Sequence, residues 1–163
     1  MIANKYHLFF TRSVMTPTTN NDDERFMRMA LNEARLAADA DEVPIGAVIV
    51  SHGQVIARAH NLTETLTDVT AHAEMQAITS AAAMLGGKYL VDCTIYVTVE
   101  PCLMCAGALG WSQIARVVYG APDDKRGYHT FCPQPFHKRT VVQGGVLADE
   151  CAQLMTDFFK KKR

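Results

Sequence analysis

The sequence predicts an α/β fold: a three-layer sandwich in which helices cover a central five-stranded mixed sheet. Three observations point there. Short β-branched or apolar runs alternate with amphipathic stretches of helical period. The first two runs are separated by a turn, as in a hairpin, whereas helical stretches intervene further along. The 163 residues, 48% of them apolar, suffice for one hydrophobic core and fall short of two full domains.

Phe26, Met29, Ala30, Glu33, Ala34 and Ala37 recur at helical spacing, with Asn20, Asn21, Asp22 and Asp23 ahead of them as cap candidates. They predict a first helix over about 23–40. Residues 43–50 and 54–59 read as two strands joined at Gly53, and 61–70 as a polar loop. Residues 71–85 read as a helix with Met75, Ile78, Ala82 and Leu85 on one side and Gly86-Gly87 at its end. Residues 94–99 are β-branched and aromatic, hence a strand, and Pro101 suits the first turn of a short helix reaching Trp111. Residues 116–120 give a fourth strand. Residues 140–147 give a fifth, interrupted by Gly144-Gly145, and 149–160 a final amphipathic helix.

Ten Gly and six Pro in 163 residues, with charged residues at 20%, exclude a collagen-like, low-complexity or disordered chain. No apolar run approaches the roughly 20 residues of a membrane span, so no membrane association is expected. The net charge of −1 conceals an asymmetry: residues 1–124 carry 8 basic and 14 acidic residues, or −6, and residues 125–163 carry 8 and 3, or +5. The chain ends in Lys160, Lys161, Lys162 and Arg163, read either as complements to a helix dipole or as a patch for a polyanion. Residues 1–22, whose first 21 lack any acid, are expected to be a disordered extension ahead of a single domain over 23–163. Five cysteines, an odd number, suit a reducing, cytoplasmic setting better than a disulfide framework, and Cys93, Cys132 and Cys151 are expected to be buried thiols.

Cys102 and Cys105, three apart at a helix start, put both sulfurs on one helix face, and the positive helix end favours the thiolate a metal requires. Two thiolates do not complete a tetrahedral site, and His72 at the start of another helix is the best-placed imidazole. Glu74, about 200° around a helix from His72, is poorly placed as an adjacent ligand and better placed to reach a molecule on the metal. One His and two Cys leave a coordination position open, the arrangement of a catalytic zinc. Taken alone, the Cys pair fits a structural zinc knuckle or a redox pair equally well.

Thr70-Ala71-His72-Ala73-Glu74 and Pro101-Cys102-Leu103-Met104-Cys105 are similar to the His-x-Glu and Pro-Cys-x-x-Cys motifs of the zinc-dependent nucleobase deaminases, the cytidine/deoxycytidylate deaminase superfamily. Within it the chain resembles the bacterial tRNA-specific adenosine deaminases over roughly residues 25–163, through residues 43–48, 70–74, 96–108 and 145–151. The resemblance implies a cytidine deaminase-like fold and one Zn2+ per chain on His72, Cys102 and Cys105. It implies that Glu74 moves the proton of an attacking water to the ring nitrogen and the leaving ammonia. Asn61 would contact the base, and the backbone N–H of Ala73 and the carbonyl of Glu100 would hold it. The implied reaction is deamination of adenosine to inosine at the tRNA wobble position, by a homodimer that binds the anticodon loop across both subunits. A guanine or other free-base or nucleotide deaminase is the alternative, and a non-catalytic zinc-stabilised module a further one. Two departures stand out: Val69 where the family has Pro between Asp68 and Thr70, and a segment 123–139 ending in Phe136-His137-Lys138-Arg139 that departs from the family pattern. His129, His137, Phe158 and Phe159 are expected as loop, surface or packing residues.

Overall fold

The structure, a computed structural model, describes residues 20–163. Residues 1–19 of the expected extension lie outside the described residues. The chain runs α1 (Asn20–Asp39), β1 (Gly46–Ser51), β2 (Gln54–His60), α2 (Ala73–Leu85), β3 (Cys93–Val99), α3 (Leu103–Trp111), β4 (Arg116–Ala121), α4 (Tyr128–Phe131), β5 (Val141–Gln143) and α5 (Ala148–Lys161).

The sheet order is β2-β1-β3-β4-β5, with β1 antiparallel to both neighbours and β3, β4 and β5 parallel. Strand alternation divides the apolar residues between two faces. Ala47, Ile49, Ile95, Val97 and Val117 share a core with Ala73, Ala77 and Ala81 of α2 and Leu109 of α3. Val48, Val50, Tyr96 and Val118 share the other with Phe26, Met27, Ala30 and Leu31 of α1 and Cys151 of α5. The expected three layers are therefore present. A Cβ at Gly46 would lie 2.0 Å from the carbonyl oxygen of Ala30, so only glycine lets α1 sit this close to β1. Among the described residues, no helix is long and apolar enough to cross a membrane.

Several boundaries differ from the sequence reading. The first helix begins at Asn20, so the residues read as caps lie inside it. Asp23 is buried instead: its carboxylate takes a bidentate pair from Arg116 of β4 at 2.6 and 2.8 Å and a bond from the Tyr96 hydroxyl at 2.8 Å. Met27 and Leu31, rather than Met29 and Glu33, are fully buried on α1. Residues 43–45 precede β1 rather than joining it. On α2 the buried side is Ala73, Glu74, Ala77 and Ala81, because small residues bring the helix close to the sheet; of the residues expected on the apolar side, Met75 and Ile78 are half-buried, Ile78 against the core, and Leu85 is exposed. Gly86 ends that helix as expected, in the left-handed conformation at φ 66°. The fifth strand stops at Gln143, with Gly144-Gly145 ending it, and α4 is a single turn the sequence pattern did not reveal. Cys93 and Cys151 are buried, whereas Cys132 is only partly covered.

Candidate active site

The connection leaving β3 and the starts of α2 and α3 converge on one spot. His72 is the N-cap of α2 and Cys102 that of α3, both with extended backbone, and Cys105 is buried in the first turn of α3. Because His72 precedes the helix, the 200° separation expected of two co-helical residues does not describe how it stands to Glu74. The His72 Nδ1 atom lies 3.6 Å from the sulfur of Cys102 and 3.6 Å from that of Cys105. The three ligand atoms fall within 4.8 Å of one another, the one such His/Cys/Asp/Glu group among the described residues. An imidazole nitrogen and two sulfurs at this separation suit a tetrahedral zinc with a fourth position open. Hydrogen bonding from Cys105, helped by His72, draws the Cys102 thiol down to about 4, despite burial. Cys105 is pushed up by Cys102 and by burial, because two adjacent sulfurs do not ionise independently.

Glu74, on the first turn of α2, is buried, and its Oε2 is the one buried side-chain oxygen or nitrogen among the described residues without a hydrogen-bond partner in the protein. Burial, with the charge of Cys102 adding to it, pushes the Glu74 carboxyl up to about 7. A buried carboxyl oxygen left unpaired is costly unless it serves a ligand. Beside it, Ala73 opens α2, so its backbone N–H has no acceptor within the helix.

Asn61, just beyond β2, is buried at 4% exposure. The Leu62 N–H donates to the Ala71 carbonyl at 3.0 Å, and Gln76 Nε2 donates to the carbonyls of His60 and Ala71, tying this loop to the stretch of chain that delivers His72. Asp68 caps the same loop by accepting from the Thr70 N–H at 2.8 Å and the Thr70 hydroxyl at 2.7 Å, which restrains the turn through Val69. Asn61 donates its amide to Glu42, a fully buried residue that the sequence reading passed over. An acid beside the apolar run 43–50 carries no motif that would have flagged it.

Glu100 does more than the sequence reading gave it. Its buried carboxylate accepts from the backbone N–H groups of Asp123 at 3.1 Å and His129 at 3.2 Å, and meets His129 Nδ1 at 2.5 Å. With the bridge between Cys102 and Gly127, it holds segment 123–129 beside the start of α3. The bond to Glu100 raises the His129 imidazole above its ordinary value. Neither His129 nor His137 joins the His72 cluster. Phe158 is buried; Phe159 is exposed and lines a groove with Asp41, Val43, Glu64, Thr65 and Lys162.

Residues 20–121 match the cytidine and deoxycytidylate deaminase zinc-binding region. A relative from Agrobacterium fabrum, the tRNA-specific adenosine deaminase, is 46% identical over 143 residues, 85% of this chain and 94% of that one. A solved structure from work on A-to-I editing by tRNA:A34 deaminases at the wobble position superposes with a TM-score of 0.75 at 47% identity, covering 80% of this chain and 98% of that one. The guanine deaminase from Nitrosomonas europaea shares the fold at a TM-score of 0.74, with 26% identity over 83% of each chain.

Proposed function

The chain belongs to the cytidine and deoxycytidylate deaminase zinc-binding family, and from that premise we propose that it hydrolyses the wobble adenosine of tRNA anticodons to inosine. The observation that carries the reaction class is the unpaired, buried Glu74 Oε2 beside the His72, Cys102 and Cys105 cluster. The adenosine and tRNA assignment follows the likeness to the tRNA-specific deaminases, which holds at 46–47% identity over 80–85% of this chain, whereas the guanine deaminases reach 26% identity over 83% (Nitrosomonas europaea) or 42% over only 61%, with a TM-score of 0.58 (Bacillus subtilis).

His72, Cys102 and Cys105 would hold one zinc, which when bound supplies a Lewis acid that makes water nucleophilic near neutral pH. In the reaction adenosine and water give inosine and ammonia: a C–O bond forms at C6 and the C6–N6 bond breaks. Glu74 accepts a proton from the attacking water at its carboxylate and delivers it to ring N1; it then takes the proton of the new C6 hydroxyl and passes it to N6, which leaves as ammonia as the C6 carbonyl forms. A carboxyl raised to about 7 is suited to both halves of that transfer, since it takes and returns a proton near neutrality. Asn61, the Ala73 N–H and the Glu100 carbonyl are assigned to the nucleotide.

A homodimer is supported by exposed apolar side chains: Met84 and Leu85 at the end of α2, Tyr89 in the loop after it, and Met104 and Trp111 on α3, Trp111 at 85%. The Leu90 N–H bond to the Ser112 carbonyl ties that loop to the end of α3. An apolar surface of this kind marks a protein contact. Trp111→Glu is accordingly expected to shift the protein from dimer to monomer in sedimentation. Five unpaired thiols support a reducing compartment such as the cytoplasm.

The deciding experiment incubates the enzyme with unmodified tRNA bearing a wobble adenosine and, in parallel, with adenosine, adenine, guanine and cytosine. Inosine formed in the tRNA alone is the expected result. Rapid ammonia release from guanine with no action on tRNA would replace this function with guanine deamination.

A further inference from the structure

Assigning Asn61 to the nucleotide leaves open which end of its amide meets the substrate, and the buried Glu42 answers that. Glu42 follows α1 and is 0% exposed. Its Oε1 accepts from the Thr65 N–H at 2.6 Å, and its Oε2 from the Glu64 N–H at 3.2 Å, Asn61 Nδ2 at 3.0 Å and the Thr63 hydroxyl at 3.3 Å. Burial opposes its ionisation, but the bonds from Thr65, Glu64 and Thr63 outweigh burial and hold the carboxyl below its ordinary value.

An ionised carboxylate offers acceptors only, so the end of Asn61 that faces Glu42 is the NH2 group. That group has two hydrogens. The same nitrogen lies 3.2 Å from Thr63 Oγ1, whose own proton is directed to Glu42. The NH2 end of Asn61 is thereby held by Glu42 and Thr63, and the carbonyl Oδ1 is the end turned away from them to meet a ligand.

We propose that Glu42 is a positioning residue that fixes Asn61 as a hydrogen-bond acceptor, so that the substrate group Asn61 reads is a donor. For a nucleotide within an RNA chain that donor is the 2′-hydroxyl or the exocyclic amine, because the ring nitrogens N3 and N7 present lone pairs. The inference rests on the assignment of Asn61 to the substrate.

An exchange of the pair tests it. In Glu42→Gln combined with Asn61→Asp, the amide and the carboxylate trade places, and the second oxygen of the introduced carboxylate still presents an acceptor. Asn61→Asp alone sets two carboxylates together and should lower kcat/KM on tRNA by about tenfold or more. The double variant should recover to within a few-fold of the wild type. Zinc content and thermal unfolding are followed for each protein. A double variant that folds and keeps its zinc, yet is as impaired as Asn61→Ala, overturns the proposal, since the substrate would then need the Asn61 N–H. Wild-type kcat/KM in Asn61→Ala overturns instead the assignment of Asn61 to the substrate.

A second measurement does not depend on the double variant folding. In the Glu74→Ala background, Kd is measured for anticodon stem-loops carrying adenosine, 2′-fluoroadenosine, purine riboside or 7-deazaadenosine at the wobble position. The penalty of adding Asn61→Ala should persist with 7-deazaadenosine. It should vanish with the 2′-fluoro nucleotide if the hydroxyl is the donor, or with purine riboside if the amine is. A penalty lost only with 7-deazaadenosine shows Asn61 donating to N7 and sinks the proposal.

Discussion

Glu74 and Glu42 are two buried carboxyls that their surroundings drive in opposite directions. Glu74 faces burial and a neighbouring thiolate with one oxygen unpaired, and its carboxyl rises to about 7. Glu42 is as deeply buried, but its hydrogen bonds bring it below the usual glutamate value of 4.5. If Glu74 carries the proton, Glu74→Ala should keep its zinc and its fold and lose roughly two to four orders of magnitude in kcat. Metal analysis and turnover on tRNA check this, and loss of zinc in the variant would make Glu74 a structural support of the cluster. For Glu42 the sign follows from linkage. Its pKa is lower folded than unfolded, so it contributes stability that is complete above about 4.5 and is lost as pH falls through the folded value. Urea unfolding from pH 6 down to pH 3 should show a steeper acid loss in the wild type than in Glu42→Gln.

Between elements, a buried ionic contact secures the start of α1. Asp23 accepts from Arg116 and Tyr96, and Arg116 also donates to Gln143 at 2.5 Å, so one carboxylate links α1 to β3, β4 and β5. Exposed ion pairs such as Arg28 with Glu150 contribute little by comparison. Asp23→Ala leaves a guanidinium with only 12% side-chain exposure short of its main partner, and should lower unfolding stability by about 3 kcal/mol. Unfolding by denaturant measures it; a change below about 0.5 kcal/mol would mean that the remaining partners of Arg116 compensate. Glu100 plays the corresponding part for segment 123–129, with a carboxylate in place of the sheet ladder that this segment lacks.

Over the whole molecule, charge is spread unevenly along the chain. The acidic excess lies in residues 1–124 and the basic excess in residues 125–163, with Lys125, Arg126, Lys138 and Arg139 ahead of α5 and the run Lys160–Arg163 at its end. Lys162 turns back to Asp41 at 2.6 Å and lies over the Phe158 ring, which leaves Lys160, Lys161 and Arg163 for a polyanion. If the tail holds RNA phosphates, its removal should raise the KM for tRNA, flatten the salt dependence of binding, and leave turnover of a small substrate unchanged. A tail that only complements the helix dipole would instead give a stability loss of at most about 1 kcal/mol and an unaltered salt slope.

The residues of the candidate metal site were legible in the sequence because their chemistry is local. Cys102 and Cys105 are one turn apart, His72 and Glu74 sit in one short motif, and the five strands declare themselves by composition and spacing. What lay beyond the sequence were contacts between residues far apart in the chain. Asn61 meets Glu42 across 19 positions, Glu100 meets His129 across 29, and Asp23 meets Arg116 across 93. The buried side of α2 belongs with these, because alanines and larger apolar residues both satisfy the helical period. Periodicity reports that a face exists, while the closeness of the sheet decides that Ala73, Ala77 and Ala81 occupy it. Chain-local chemistry can be read from spacing alone, whereas a buried carboxylate acquires its role only from the donors that folding brings to it.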